Sequence, residues 1–162
     1  MTAKLQTGAT MIETDESKPL IFLAEDSEDD AYFFQRAFQK ANVGCSLMHA
    51  TNGKAALEML EKAVARCPEP PMTLMFLDLK MPVMSGFEVL EWLKRSALKP
   101  SPQVIVLSGS NDQDDRARAL SLGASDYLVK PISHDILRER ISGFLNYRHG
   151  PQIRRREGTA NL

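Results

Sequence analysis

The chain has 162 residues, 43% of them hydrophobic and 25% charged, a globular balance with room for one domain of ordinary size. A formal net charge of -1 supplies no general attraction to nucleic acid. The apolar runs are far too short to cross a bilayer, so neither DNA nor a membrane is an expected partner.

Residues 1–17 are polar and acidic, with Glu13, Asp15 and Glu16 ahead of a Lys-Pro pair, and are expected to form a flexible leader. They lack the charged start and unbroken apolar stretch of a secretion signal, which favours a cytoplasmic protein. From 18 to 148 short apolar runs alternate with longer amphipathic stretches. The runs are Leu20 to Ala24, Leu47 to Ala50, Thr73 to Leu77, Val104 to Leu107 and Tyr127 to Val129. None alternates inside with outside, which suits strands covered on both faces and joined by helical crossovers. The pattern predicts βα repeated five times.

Ser27 with Asp30 and Ser85 with Glu88 match the Ser-x-x-acid box that opens a helix. In the first helix Ala31, Phe34, Phe38 and Ala41 form a buried stripe, with Tyr32 and Phe33 off it. Gly123 is expected to end the fourth helix, and Ser133 to open a fifth that buries Ile136, Ile141, Phe144 and Leu145. His-Gly-Pro then breaks the last helix, leaving 149–162 as a flexible tail whose basic run, Arg154 to Arg156, reads most simply as solvated. The two cysteines, Cys45 and Cys67, show no metal-ligand spacing and are expected to stay reduced.

Polar signals follow the first, third, fourth and fifth runs: Glu25-Asp26, Asp78, Ser108 and Lys130. In a parallel sheet these positions share the carboxyl edge, where open α/β folds bind ligands. Right-handed crossovers favour the doubly wound order 2-1-3-4-5, which sets Glu25 and Asp26 beside Asp78. Strands about 4.8 Å apart would crowd three carboxylates, whose like charges resist joint ionisation. A divalent cation resolves that conflict, and an all-oxygen set with no His or Cys cluster points to magnesium, with manganese an acceptable substitute. Each residue alone has an ordinary explanation; their joint placement carries the expectation.

The chain resembles the response-regulator receiver family from Pro19 to about Tyr147. The resemblance rests on Ile-Phe-Leu-Ala-Glu25-Asp26, Leu-Asp78-Leu-Lys-Met-Pro82-Val-Met-Ser-Gly86, Val-Leu-Ser108 and Gly123-Ala-Ser-Asp-Tyr127-Leu-Val-Lys130-Pro131. It implies a flavodoxin-like α/β sandwich in which Asp78 takes a phosphoryl group from a sensor histidine kinase or a histidine phosphotransfer protein. Asp26, Asp78 and the backbone carbonyl of Lys80 would hold magnesium, with Glu25 acting through water. Ser108 and Lys130 would bind the phosphoryl oxygens, and a cis peptide would precede Pro131.

By the same resemblance Tyr127 turns inward on activation; the plainer alternative is a half-buried strand tyrosine with its hydroxyl in water. Gly109 stands where the family often has alanine, and Lys80 adds a positive side chain beside the site. The implied protein is a stand-alone regulator that is not an enzyme beyond its own phosphotransfer and slow autodephosphorylation. A haloacid-dehalogenase-like enzyme would need an acid two residues after the nucleophile, where Lys80 stands. A phosphorylation-independent scaffold is the other alternative. Output would pass to an unknown protein target. The fourth helix, fifth strand and fifth helix carry mixed charges from Asp112 to Arg118 and from Arg138 to Arg140, which suit a weak homodimer or simply a solvated face. The first helix, with Phe33 and Tyr32 off its buried stripe, is the candidate kinase-docking surface.

Overall fold

The computed structural model describes residues 4–5, 9–11, 18–66 and 73–148. Its strands are β1 (Lys4–Leu5), β2 (Ala9–Met11), β3 (Leu20–Ala24), β4 (Ser46–Ala50), β5 (Leu74–Asp78), β6 (Gln103–Ser108) and β7 (Asp126–Val129). Its helices are α1 (Glu28–Ala41), α2 (Gly53–Ala65), α3 (Gly86–Arg95), α4 (Gln113–Ser121) and α5 (His134–Arg148). β3 to β7 correspond to the five runs of the sequence and lie parallel in the order β4-β3-β5-β6-β7, the doubly wound arrangement expected.

Every residue of β5 is buried, and β3 and β6 each leave only their first residue partly exposed, which explains their unbroken apolar runs. Alternate side chains go to opposite layers. Phe22, Met75, Leu77 and Val106 pack with α2 and α3, whereas Ile21, Leu23, Phe76 and Ile105 pack with α1 and α5. The helices bury the faces their periodicity indicates, and the rings of Phe34 in α1 and Phe76 in β5 meet edge-on at 5.0 Å between centroids.

The structure departs from the sequence expectation in two places. Leu137, not Ile136, joins Ile141 and Phe144 on the buried face of α5, and Ile136 is exposed. Adjacent apolar residues satisfy nearly the same helical stripe, so periodicity does not separate them. Within the leader expected to be flexible, β1 and β2 pair antiparallel with each other, and β2 pairs antiparallel with β4. Pairing at a sheet edge uses backbone groups and requires no apolar pattern, so composition hides it. The remainder of the leader, Cys67 and the tail carrying Arg154 to Arg156 lie outside the described residues.

Candidate functional site

Four strand ends deliver the polar residues to one edge. β3 runs straight into Glu25 and Asp26, β5 ends on Asp78, β6 ends on Ser108, and β7 runs into Lys130. Register keeps these ends level, since Ala24 is opposite Leu77, Asp78 opposite Leu107 and Ser108 opposite Val129. The backbone of Glu25 is pinned at both ends: its N–H donates to Ala50 at 3.0 Å, and its carbonyl lies 2.7 Å from Nε2 of His49. Gly86 lets the helix start of α3 approach β5, because a Cβ there would collide with the Asp78 carbonyl and sit 2.8 Å from Leu79 Cα. Its N–H donates to Leu79 at 3.0 Å, which fixes the loop under the acid.

One carboxylate oxygen from each of Glu25, Asp26 and Asp78 lies within 4.8 Å of the others. Glu25 and Asp78 are buried and Asp26 is exposed. Lys130 Nζ reaches Glu25 Oε2 at 2.6 Å, Asp30 Oδ2 at 2.8 Å and Asp78 Oδ1 at 3.3 Å. Burial raises the Glu25 carboxyl above its ordinary range against the lowering pull of its Lys130 hydrogen bond, and the Asp78 charge adds to the rise. Burial likewise raises Asp78, with Lys130 opposing and Asp26 adding. For Lys130 burial works downward, but the bonds to Asp30 and Glu25 and the charge of Asp78 outweigh it and hold the ammonium protonated.

These residues fit a hard dication: three carboxylates converge, two of them are withdrawn from water, and one ammonium cannot balance them. Ser108 is buried with its hydroxyl oxygen accepting from the N–H of Ser110 at 3.2 Å, so the hydroxyl hydrogen is not spent in that bond. The Lys130–Pro131 peptide is cis. Lys80 stands two residues past Asp78 with an exposed side chain. Tyr127 is 2% exposed, and its hydroxyl donates to the Ser110 carbonyl at 3.0 Å; its ring therefore already lies inside and its hydroxyl is not in water. A Cβ on Gly109 would meet nothing within 4 Å, so the space there accepts alanine.

The edge also holds two residues that were not sequence candidates. His49 buttresses Glu25 from β4, and nothing in its run marks it. Asp30 was visible only as the acid of a capping box, whereas its side chain contacts Lys130.

A family profile described as the response regulator receiver domain matches residues 21–142. The chain belongs to the response regulator receiver family. This receiver domain of two-component signalling is 33% identical over 128 residues to the "Probable methanogenesis regulatory protein FilR2" of Methanothrix harundinacea (strain 6Ac), covering 79% of this chain and 82% of that protein. It spans between 14% and 38% of the length of several other curated relatives. Among solved structures it is similar to the signal receiver domain of a signal transduction histidine kinase from Syntrophus aciditrophicus, with a TM-score of 0.63, 25% identity, and coverage of 89% of this chain and 98% of that one. It is also similar to the Mn(2+)-bound form of the response regulator Rcp1, with a TM-score of 0.60, 29% identity, and coverage of 80% and 93%. No helix among the described residues is long and apolar enough to cross a membrane.

Proposed function

We propose that Asp78 of this receiver accepts a phosphoryl group from a phosphohistidine on a sensor histidine kinase or a histidine phosphotransfer protein. The observation that carries this reading is the convergence of Glu25, Asp26 and Asp78 within 4.8 Å, with Lys130 Nζ 3.3 Å from Asp78. A carboxylate oxygen of Asp78 forms the new bond to phosphorus while the bond from phosphorus to the donor imidazole breaks, its electron pair remaining on the imidazole nitrogen. The barrier depends on neutralising charge on the transferring oxygens. Lys130 supplies one positive charge, and Ser108 supplies a hydroxyl donor. Asp26, Asp78 and the Lys80 carbonyl would hold magnesium or manganese, with Glu25 acting through water, and the ion would supply the remaining positive charge.

The phosphoryl group adds charge next to the loop that follows Ser108, and that loop is tied to Tyr127 through Ser110. We infer that output passes through this connection to α4 and a protein target. A cytoplasmic location agrees with a phosphohistidine donor. Homodimerisation through α4, β7 and α5 is the weaker part of the reading, because several charges suited to it are engaged within the chain. Arg118 contacts Glu91 at 3.2 Å, Arg140 contacts Asp126 at 2.6 Å, and Arg138 donates to the Ala41 carbonyl at 3.1 Å.

The test is incubation with acetyl phosphate and magnesium, read by intact mass. Wild type should gain one phosphoryl group and Asp78→Asn none. A wild type that gains none would make the domain a phosphorylation-independent scaffold.

A further inference from the structure

Two Ser-x-x-acid boxes open helices in this chain, and they close differently. In the second, the Ser85 N–H donates to Glu88 Oε2 at 2.8 Å and the Glu88 N–H returns to Ser85 Oγ at 3.3 Å, so both halves are made. In the first, the Asp30 N–H donates to Ser27 Oγ at 3.3 Å, but the Ser27 N–H is taken by Glu25 Oε1 at 3.1 Å. Glu25 has replaced the Asp30 side chain in the cap. The Asp30 carboxylate instead meets Lys130 Nζ at 2.8 Å, closer than the 3.3 Å that separates Lys130 from Asp78. A local rule broken in this way signals a second demand on the residue.

We propose that Asp30 is a positioning residue for Lys130, holding its ammonium in reserve before phosphorylation and yielding it to the phosphoryl group afterwards. The inference rests on Asp78 being the phosphoacceptor. An ammonium has three N–H donors, and three carboxylates surround this one. A phosphoryl oxygen on Asp78 inherits the N–H that faces Asp78 at 3.3 Å, and draws the ammonium to full hydrogen-bond distance only against the shorter bonds to Glu25 and Asp30. Glu25, with a side chain 2% exposed, would lose its shortest bond with little water to replace it. Asp30, with a side chain 43% exposed, can be rehydrated. Asp30 is the contact given up, and the strength of its half-exposed ion pair is subtracted from the affinity for the phosphoryl group.

The test is calorimetric titration with beryllofluoride, a phosphoryl mimic, at saturating magnesium. Asp30→Asn should bind it roughly twofold to fivefold more tightly than wild type, the range of an exposed ion pair. Asp30→Glu, which restores the charge, should return towards wild type. Asp29→Asn removes a charge from the same exposed turn and should change affinity by much less. The cap survives in Asp30→Asn because Ser27 binds the backbone N–H, so its melting temperature should fall by no more than the few degrees that the loss of one half-exposed ion pair implies. Unchanged or weaker binding by Asp30→Asn, or an equal gain in Asp29→Asn, overturns the proposal. Failure of wild type to bind beryllofluoride sinks the phosphoacceptor reading instead. The pairing is then read from Lys130 ammonium proton exchange by NMR, where faster exchange in Asp30→Asn supports it and equal exchange overturns it.

Discussion

Tyr127 ties three parts of the molecule together. Its ring is buried against the layer formed by α2 and α3, its hydroxyl donates to Ser110, and Arg116 of α4 donates to its carbonyl at 3.3 Å with the guanidinium carbon 5.7 Å from the ring centroid. Tyr127→Phe keeps the ring and deletes one buried donor, and should lower unfolding free energy by about 1 kcal/mol in denaturant titration. A loss near zero would mean that water reaches the Ser110 carbonyl. The position of Tyr127 was legible from its neighbours Asp126 and Lys130, but its state was not. Its hydroxyl partner lies 17 residues earlier in a loop, and no local pattern reports such a contact. The helix start at Ser27 was read correctly, but the second contact of Asp30 was hidden for a related reason: its spacing from Ser27 satisfies a capping box equally well whether its carboxylate caps the helix or crosses to a residue 100 positions away.

At the scale of elements, α1 separates its aromatics cleanly. Phe34 and Phe38 are buried, whereas Tyr32 and Phe33 are 55% and 63% exposed with ring centroids 5.9 Å apart. Phe33 also lines a cleft of about 310 Å3 with Glu25, Asp30 and Lys130, so an exposed aromatic stands beside the reacting edge. A partner bringing a phosphohistidine to Asp78 would meet it there. Phe33→Ala should leave stability within roughly 0.5 kcal/mol of wild type, because the ring packs mainly against solvent. It should slow phosphotransfer from the cognate kinase while leaving labelling by acetyl phosphate unchanged; equal kinase rates in mutant and wild type would remove α1 from the docking surface. The buried stripe of α1 was readable because four residues repeat at helical spacing. α4 is less readable, since only Ala119 is buried and much of the helix is held by side chains such as Arg118, which lies 4.1 Å from the Phe87 ring centroid and pairs with Glu91.

In the whole molecule, the acidic cluster sits at the ends of β3 and β5, adjoining strands at the centre of the sheet. The sheet order follows from uninterrupted apolar runs and right-handed crossovers, and that order alone brings Asp78 beside residues more than fifty positions away. The arrangement exists only in the folded chain, so any ion it binds must stabilise the fold by mass action. At a magnesium concentration ten times the dissociation constant the gain is about 1.4 kcal/mol, a rise of roughly 3 to 6 °C in melting temperature for a domain of this size. Without metal the buried Asp78 carboxylate is a cost. Burial and the Asp26 charge raise the Asp78 carboxyl above its unfolded value, so at neutral pH its ionised form weakens the fold. Asp78→Asn should therefore melt higher than wild type in chelator and gain little from added magnesium. Asp26→Asn should also show a reduced magnesium response. Melting curves across a magnesium series decide the matter: a wild type indifferent to the ion, or variants that respond as fully as wild type, would show that these carboxylates do not share a cation.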